Sequence, residues 1–351
     1  MAETIVEVCK IEMVLAHPNA DALELTQIKG WQSVVPLGKY HAGDLITYIP
    51  IDSMIPLEHA DRWGITQYLS MKTGPGADVP PAGRVRCARL RGEPSFGVII
   101  DREDTSWVEG QDVKAHYGIY KYVPPLRTSA GDAERAHPLF VSYTDIENLR
   151  NFPDVLEPGD EVVVTEKIHG TNARVGMIEG ELMAGSMGLR RKRPGLEEAM
   201  TVNTYWYPLT LPAVRALVEA LGAEHGQVIL YGEVYGSGIQ DLHYGCKGAL
   251  GFRAFDLLVD GKYLNTESFS EVCARFGVET VPVLYRGPFT LERVRRHAGG
   301  NTTLDASHIR EGVVVKPVVE RIDPKVGRVA LKYIGDQYLF SKSADRDTHD
   351  V

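Results

Sequence analysis

The chain has 351 residues, 44% of them hydrophobic and 24% charged, with 38 bases against 47 acids for a net charge of −9. This length and ordinary composition point to two or three globular domains and exclude a collagen-like fibre, a coiled-coil rod or a largely disordered chain. No run of eighteen apolar residues occurs, so no membrane-spanning segment is expected, and the start MAETIVEVCKIEMV carries acids where a leader would carry Lys or Arg. Cys9, Cys87, Cys246 and Cys273 are far apart and form no CxxC pair, so neither a disulfide framework nor a zinc site is expected. These features place the protein in a reducing compartment, with a cytoplasmic location expected.

The first part reads as short strands and turns. TIVEVCKIEMV alternates loosely, ALELTQIKGWQSVV is a strand pair turned at Lys29-Gly30, and DLITYIPIDSMI is a further strand. GRVRCARLRGEPSFGVII follows, with turns expected at Gly83 and Gly92. Short strands at close spacing predict a small barrel over residues 1–123. Residues 124–138, PPLRTSAGDAERAHP, lack an apolar face and are the expected linker to a second domain, 139–351. Two arginine clusters, Arg84/Arg86/Arg89/Arg91 and the Arg190-Arg191-Lys192-Arg193 run, keep a polyanionic partner open in this acidic chain.

The second part mixes strands with helices. EVVVTEKI, VILYGEVYG, GFRAFDLLVD, EGVVVKPVV and RVALKYI are strand-like from their Val, Ile and aromatic content. LPAVRALVEALGAEHG carries Val214, Leu217, Val218 and Leu221 at helical spacing and is predicted to stop at Gly222 or Gly226. TESFSEVCARFG predicts a second helix, capped by Thr266 or Ser268 and stopped by Gly277.

The chemistry gathers on the strands. Lys167 ends a Val-rich strand, in the run Glu166-Lys167-Ile168-His169-Gly170-Thr171-Asn172. A partly buried lysine near other cations loses proton affinity, and its neutral amine is a nucleophile. Further along stand Tyr231-Gly232-Glu233, Phe255-Asp256, Glu311-Gly312-Val313-Val314-Val315-Lys316 and Leu331-Lys332. Lysines suit a polyphosphate, a carboxylate suits a ribose hydroxyl or a divalent cation, and an aromatic ring suits a purine face.

Taken in order, Lys-Ile-His-Gly-Thr-Asn, Tyr-Gly-Glu, Phe-Asp, Glu-Gly-Val-Val-Val-Lys and Leu-Lys resemble the motifs of the covalent nucleotidyltransferases: ATP-dependent DNA and RNA ligases and GTP-dependent capping enzymes. KIHGTN and GEVYGSGIQ are similar to the nick-sealing RNA ligases related to phage RNA ligase two. His17-Pro18-Asn19-Ala20-Asp21, Gly43-Asp44, Arg91-Gly92, Ser95 and Gly97 resemble a tRNA-binding OB domain. An OB domain ahead of the transferase resembles the RNA ligase type of Deinococcus and Naegleria. The resemblance implies an α+β chain, an N-terminal OB-fold β-barrel followed by a nucleotidyltransferase (adenylyltransferase, ATP-grasp-like ligase) domain with antiparallel sheets and flanking helices.

What the resemblance implies for function is an ATP-dependent RNA ligase acting on nicked duplex nucleic acid with an RNA 3′-OH end, as a monomer, with ATP and Mg or Mn. Lys167 becomes adenylylated, Glu233 holds the ribose, Phe255 stacks on adenine, and Lys316 and Lys332 contact phosphates. Glu311 organises the metal, Asp256 is a second metal candidate, and Glu166 and Ile168 flank the nucleotide. His169, Asn172, Asp256 and Gln240 match positions tied to the nick-dependent steps. The arginine that grips phosphate in the family is missing near Ser186-Met187, and Arg190 or Arg191 is its expected substitute. Ile334 stands where some relatives carry another lysine. A DNA ligase, a capping-type guanylyltransferase and a non-catalytic OB protein are the alternatives. In the OB part, the segment from Arg84 to Arg91 is expected to lie against duplex phosphate.

Overall fold

The computed structural model describes residues 3–72, 81–123, 132–240 and 242–341. Contacts divide the chain into two units, residues 2–124 with 339–351, and residues 125–338. No helix among the described residues is long and apolar enough to cross a membrane.

The first unit is built from short antiparallel strands. Leu45–Ile49 pairs with both Glu7–Lys10 and Val98–Asp101, and Met13–Ala16, Leu23–Ile28 and Trp31–Pro36 form a meander. The meander turns at Lys29-Gly30, where both residues have positive φ (52° and 73°) and Ile28 pairs with Trp31. This is the two-residue hairpin whose twist matches that of its strands. Arg91-Gly92 (53° and 94°) makes the same turn between Leu90 and Glu93. Val6, Val8, Ile49, Ile55, Val85, Ile100 and Tyr117 fill the interior. Gly83, expected at a turn, sits instead inside the strand Ala82–Arg84, because Leu69 packs over it: a Cβ there would stand 2.6 Å from that of Leu69.

The arginine segment is less available than its sequence implied. Arg84 is buried, its guanidinium held by Asp52 (2.8 Å from Nε) and stacked 4.0 Å from the Tyr122 ring centre. Arg89 donates to the carbonyls of Phe340 (3.1 Å) and Ser341 (2.8 Å). Those contacts, with the Phe340 ring edge-on to Phe96 at 6.3 Å, group the last described residues with the first unit rather than with 139–338. The half-buried Arg86 and the exposed Arg91 remain as candidates for phosphate contact. Arg84→Ala is therefore expected to lower the stability of this unit while Arg91→Ala does not. Chemical unfolding of the two variants checks this, and equal losses would contradict it.

The second unit rests on two sheets. One has five strands in the order Glu147–Asn148, Leu331–Ile334, Gly312–Pro317, Glu161–Lys167, Val283–Pro288, antiparallel except at the first pair. The other has six antiparallel strands: Arg190–Arg191, Glu181–Ser186, Thr171–Ile178, Gln227–Gly236, Leu250–Val259, Lys262–Tyr263. The helices Pro212–Gly222 and Thr266–Phe276 form where helical spacing predicted them, and bury Val214, Leu217, Val218, Phe269 and Cys273 against Val175, Leu230, Val234 and Leu257. Asn265, not Thr266 or Ser268, takes the N-cap position, while Gly277 stops the helix in the left-handed region as expected (φ 73°).

The expected linker is described only from Asp132. There it lies along the Arg190–Arg191 edge strand, with Glu134 N–H donating to the Arg190 carbonyl at 3.0 Å and Lys192 N–H to the Asp132 carbonyl at 2.9 Å. Residues 132–138 thus group with the second unit, because their backbone groups find partners on that edge.

Candidate active site

Strand register decides which side chains share a face. Side chains alternate along a strand, and paired residues project to the same side. Val162, Val164 and Glu166 share one face with Val313, Val315, Leu331 and Tyr333, all at most 2% exposed, and this is core. The other face carries Thr165 and Lys167, with Val314 and Lys316 on the next strand and Lys332 beyond. Three lysines thus project from one face of one sheet.

Glu166, expected near the nucleotide, is on the opposite face to its neighbour Lys167. Its carboxylate is tied into the loop at Thr302 and Thr303: both hydroxyls donate to it (2.7 Å from Thr303), as does Thr303 N–H (3.0 Å), with Arg310 Nε at 3.4 Å. Glu166 is therefore a strut under the strand that carries Lys167, a role that its strand parity already contained. Glu166→Ala removes charge-assisted bonds worth about 1.5–3 kcal/mol each. A marked fall in the unfolding midpoint is expected, and an unchanged midpoint would contradict the assignment.

Lys167 is only 9% exposed, and its Nζ stands 2.6 Å from Oε1 of Glu311, which is fully buried. His169 Nδ1 lies 3.5 Å from the other oxygen of the same carboxylate. The contact to Lys167 is an ion pair without hydrogen-bond geometry at either Glu311 oxygen. Such buried, hard oxygen atoms suit a divalent cation of the Mg or Mn class. The chain then crosses to the six-stranded sheet through Ile168, His169 and Gly170. Gly170 permits the crossing, since a Cβ there would fall 2.3 Å from the Val234 carbonyl oxygen. Its N–H donates to Glu233 Oε1 at 3.2 Å, the Gln240 amide approaches its carbonyl at 3.4 Å, and Asn172 pairs with Glu233 in register. Tyr244 OH receives the His169 N–H at 2.7 Å. Lys167, His169, Asn172, Glu233, Gln240 and Glu311 are thus linked through one short peptide, while Ile168 is a buried apolar anchor within it.

A second cluster surrounds Asp256. A bulge between Tyr231 and Gly232 leaves Phe255 unpaired, since Tyr231 faces Asp256 and Gly232 faces Ala254. The extra residue re-aims the strand locally. Phe255 remains half-buried, its ring 4.8 Å from that of Tyr143, and its carbonyl accepts from Lys316 Nζ at 3.2 Å. Asp256 is fully buried, and its Oδ2 accepts from Tyr143 OH (2.6 Å), Lys316 Nζ (2.9 Å) and Arg328 Nη2 (2.8 Å). Burial alone would raise this carboxyl, but the Lys316 ammonium and Arg328 guanidinium hold it below the usual range. Asp256, expected as a metal ligand, is instead the counter-ion of two cations, whose charges disfavour a third. Tyr143 and Arg328 were missed in the sequence because each is distant along the chain and carries no motif of its own.

Arg190 does not supply the missing phosphate-gripping arginine. It is held by Glu134 (3.0 Å) and Glu181, so its charge is already neutralised. Arg191 is buried, with Asp132 at 3.6 Å and the Tyr205 ring centre at 4.7 Å. Lys332 is half-buried on the face shared by Lys167 and Lys316.

The RNA ligase family matches residues 160–334, and an OB-fold domain matches residues 5–101. The chain belongs to the RNA ligase family. Among solved structures it is similar to an RNA ligase of Naegleria gruberi, solved in mutant forms with ATP and Mn (24% identity over 98% of this chain and 100% of that one, TM-score 0.73) and with AMP and Mn (25%, 95% and 98%, 0.71). The same enzyme with PPi matches at 25% identity over 96% of this chain and 98% of that one, with a TM-score of 0.68. No curated protein matches. This RNA ligase therefore has the OB-fold unit before its ligase unit, the order that the sequence predicted.

Proposed function

We propose that this RNA ligase uses ATP to seal 3′-OH/5′-phosphate nicks in duplex nucleic acid, with RNA at the 3′-OH end, through a lysyl-AMP intermediate, in RNA repair. The observation that carries the reading is the buried Lys167–Glu311 pair at the end of a strand whose face also bears Lys316 and Lys332. The binding of ATP, AMP and Mn by the Naegleria enzyme supports the choice of nucleotide and ion.

In this reading Lys167 Nζ, once deprotonated, attacks the α-phosphorus of ATP, a phosphoramidate bond forms, and pyrophosphate leaves. The 5′-phosphate of the nick then takes the AMP, and the 3′-hydroxyl displaces it to close the phosphodiester. In-line displacement at phosphorus needs positioning and charge neutralisation above all. Lys316, anchored by Asp256, and Lys332 neutralise phosphate charge. Glu233, already fixed by Gly170 N–H, receives the ribose hydroxyls, and the half-buried Phe255 ring offers its face to adenine. A divalent metal held by Glu311 would supply further neutralisation of the phosphates. His169, Asn172 and Gln240 line the peptide where the adenylylated end would be handled.

Incubation with α-labelled ATP and Mg or Mn is expected to label the protein. Addition of a nick with a ribose 3′-hydroxyl should discharge the label into a sealed strand, faster than a nick with a deoxyribose end. Labelling by GTP in preference to ATP, or equal sealing of both nicks, would overturn the corresponding part of the reading. For the OB unit, Arg86→Ala with Arg91→Ala is expected to weaken nicked-duplex binding. Its salt dependence should also fall, by about one unit of log–log slope for each phosphate that is no longer neutralised.

A further inference from the structure

His243 and His308 lie in loops about sixty-five residues apart in sequence, yet their rings stand 4.6 Å apart and edge-on at 74°. Between them is one carboxylate oxygen. Oδ2 of Asp305 is 3.6 Å from His243 Nδ1 and 3.6 Å from His308 Nε2. One donor atom from each of the three residues lies within 4.8 Å of the others. Around a tetrahedral ion with bonds of about 2.0–2.1 Å, ligand atoms sit about 3.3–3.4 Å apart. Both imidazoles are within a few tenths of an ångström of that spacing from Asp305, and rotation of the two rings toward each other closes the third side.

Two details orient the group toward a ligand. The other oxygen of Asp305 is fixed by the Ser307 N–H (3.0 Å) and hydroxyl (2.7 Å), which leaves Oδ2 turned to the imidazoles. This is how outer partners usually hold a metal-binding carboxylate. His308 Nε2 is inaccessible to solvent and makes no hydrogen bond among the described residues. His243 Nδ1 accepts the Gly245 N–H at 3.0 Å, a bond that an ion at this nitrogen would replace.

We propose that His243, Asp305 and His308 form a site for a divalent transition metal of the Zn class, separate from the Mg or Mn used at Glu311. Two imidazoles and one carboxylate select such an ion over Mg, which prefers an all-oxygen shell. The site joins two loops that grip the nucleophile peptide from either side of its sequence. Tyr244, next to His243, holds the His169 N–H, while Thr302 and Thr303, just before Asp305, hold Glu166. Bound metal locks both loops and so fixes the segment from Glu166 to His169. Cysteine spacing gave no hint of this site because its ligands are histidines and an aspartate contributed by two separate loops.

The test uses the full chain, stripped by a chelator and titrated with Co²⁺ as an optical probe. One equivalent is expected to give the visible bands of low-coordinate Co²⁺. Zn²⁺ should displace it stoichiometrically, and excess Mg²⁺ should not. His243→Ala with His308→Ala is expected to weaken binding by at least about 100-fold, whereas Glu311→Gln retains the bands. Zn²⁺ should also slow hydrogen exchange at the amides of Ile168 to Gly170. Absence of the bands in the unaltered chain overturns the site without reference to any variant. So does their persistence in the double variant, or their disappearance in Glu311→Gln. If the double variant does not fold, Asp305→Asn decides the ligand assignment: undiminished affinity there contradicts it.

Discussion

Glu311→Gln is expected to slow lysine adenylylation by about 10²–10⁴-fold, the range associated with losing a positioned acid–base group. The substitution keeps the shape of the side chain and removes its charge. Glu311 is fully buried, and its two oxygens face Lys167 at 2.6 Å and His169 at 3.5 Å. In the proposed chemistry Lys167 attacks phosphorus only after giving up a proton, and the carboxylate beside it would both receive that proton and hold the hard cation at the phosphates. The neutral amide does neither. Single-turnover labelling with ATP measures the effect, while nucleotide binding in the absence of metal should change far less. A variant that adenylylates at the normal rate would remove Glu311 from the proposed chemistry.

The second large effect concerns stability. Asp256→Ala leaves Lys316 and Arg328 buried and facing each other without their counter-ion, and breaking a buried pair in this way costs about 3–5 kcal/mol. Arg328 keeps partners in Glu320 and in the Tyr263 ring, 3.7 Å away, whereas Lys316 keeps only the Phe255 carbonyl among its hydrogen bonds to the described residues. The loss should therefore fall mainly on Lys316, and sealing should fail along with stability. The pH dependence follows from the direction of the shift. The folded carboxyl is held below its ordinary value of about 3.9, so its contribution is complete above that pH and disappears as pH falls through the lower, folded value. Chemical unfolding should show a constant gap between the unaltered chain and Asp256→Ala from pH 6 to 8, narrowing below about pH 4. A gap that persists undiminished in acid would contradict the charge-pair account.

Local physics made much of this molecule legible. The β-branched runs around Val162–Val164 and Val313–Val315 announce strands buried on one face, and the apolar spacing of Val214, Leu217 and Val218 announces a helix. Lys29-Gly30 and Arg91-Gly92 announce tight turns. Period-two alternation also separates Glu166 from Lys167, although their adjacency in one motif invites reading them as a single site. Features that depend on distant partners were not legible. Tyr143 and Arg328 meet Asp256 from 113 and 72 residues away, and Thr302 reaches Glu166 across 136. The bulge that frees Phe255 breaks the alternation on which strand reading relies. Likewise, nothing in Arg84 or Arg190 distinguishes a solvent-facing charge from one neutralised by Asp52 or by Glu134 and Glu181. The motif order picked out the candidate residues, and the fold then decided which members of each motif share a face.

The central claim is that one particular amine becomes bonded to phosphorus. Mass spectrometry of the protein after incubation with ATP and Mg or Mn, followed by peptide mapping under conditions that preserve phosphoramidates, tests it directly. The account predicts one adenylyl group per chain, carried by Lys167 and absent from Lys167→Ala. An adduct on Lys316, Lys332 or any other residue, or an adduct that survives Lys167→Ala, would contradict it.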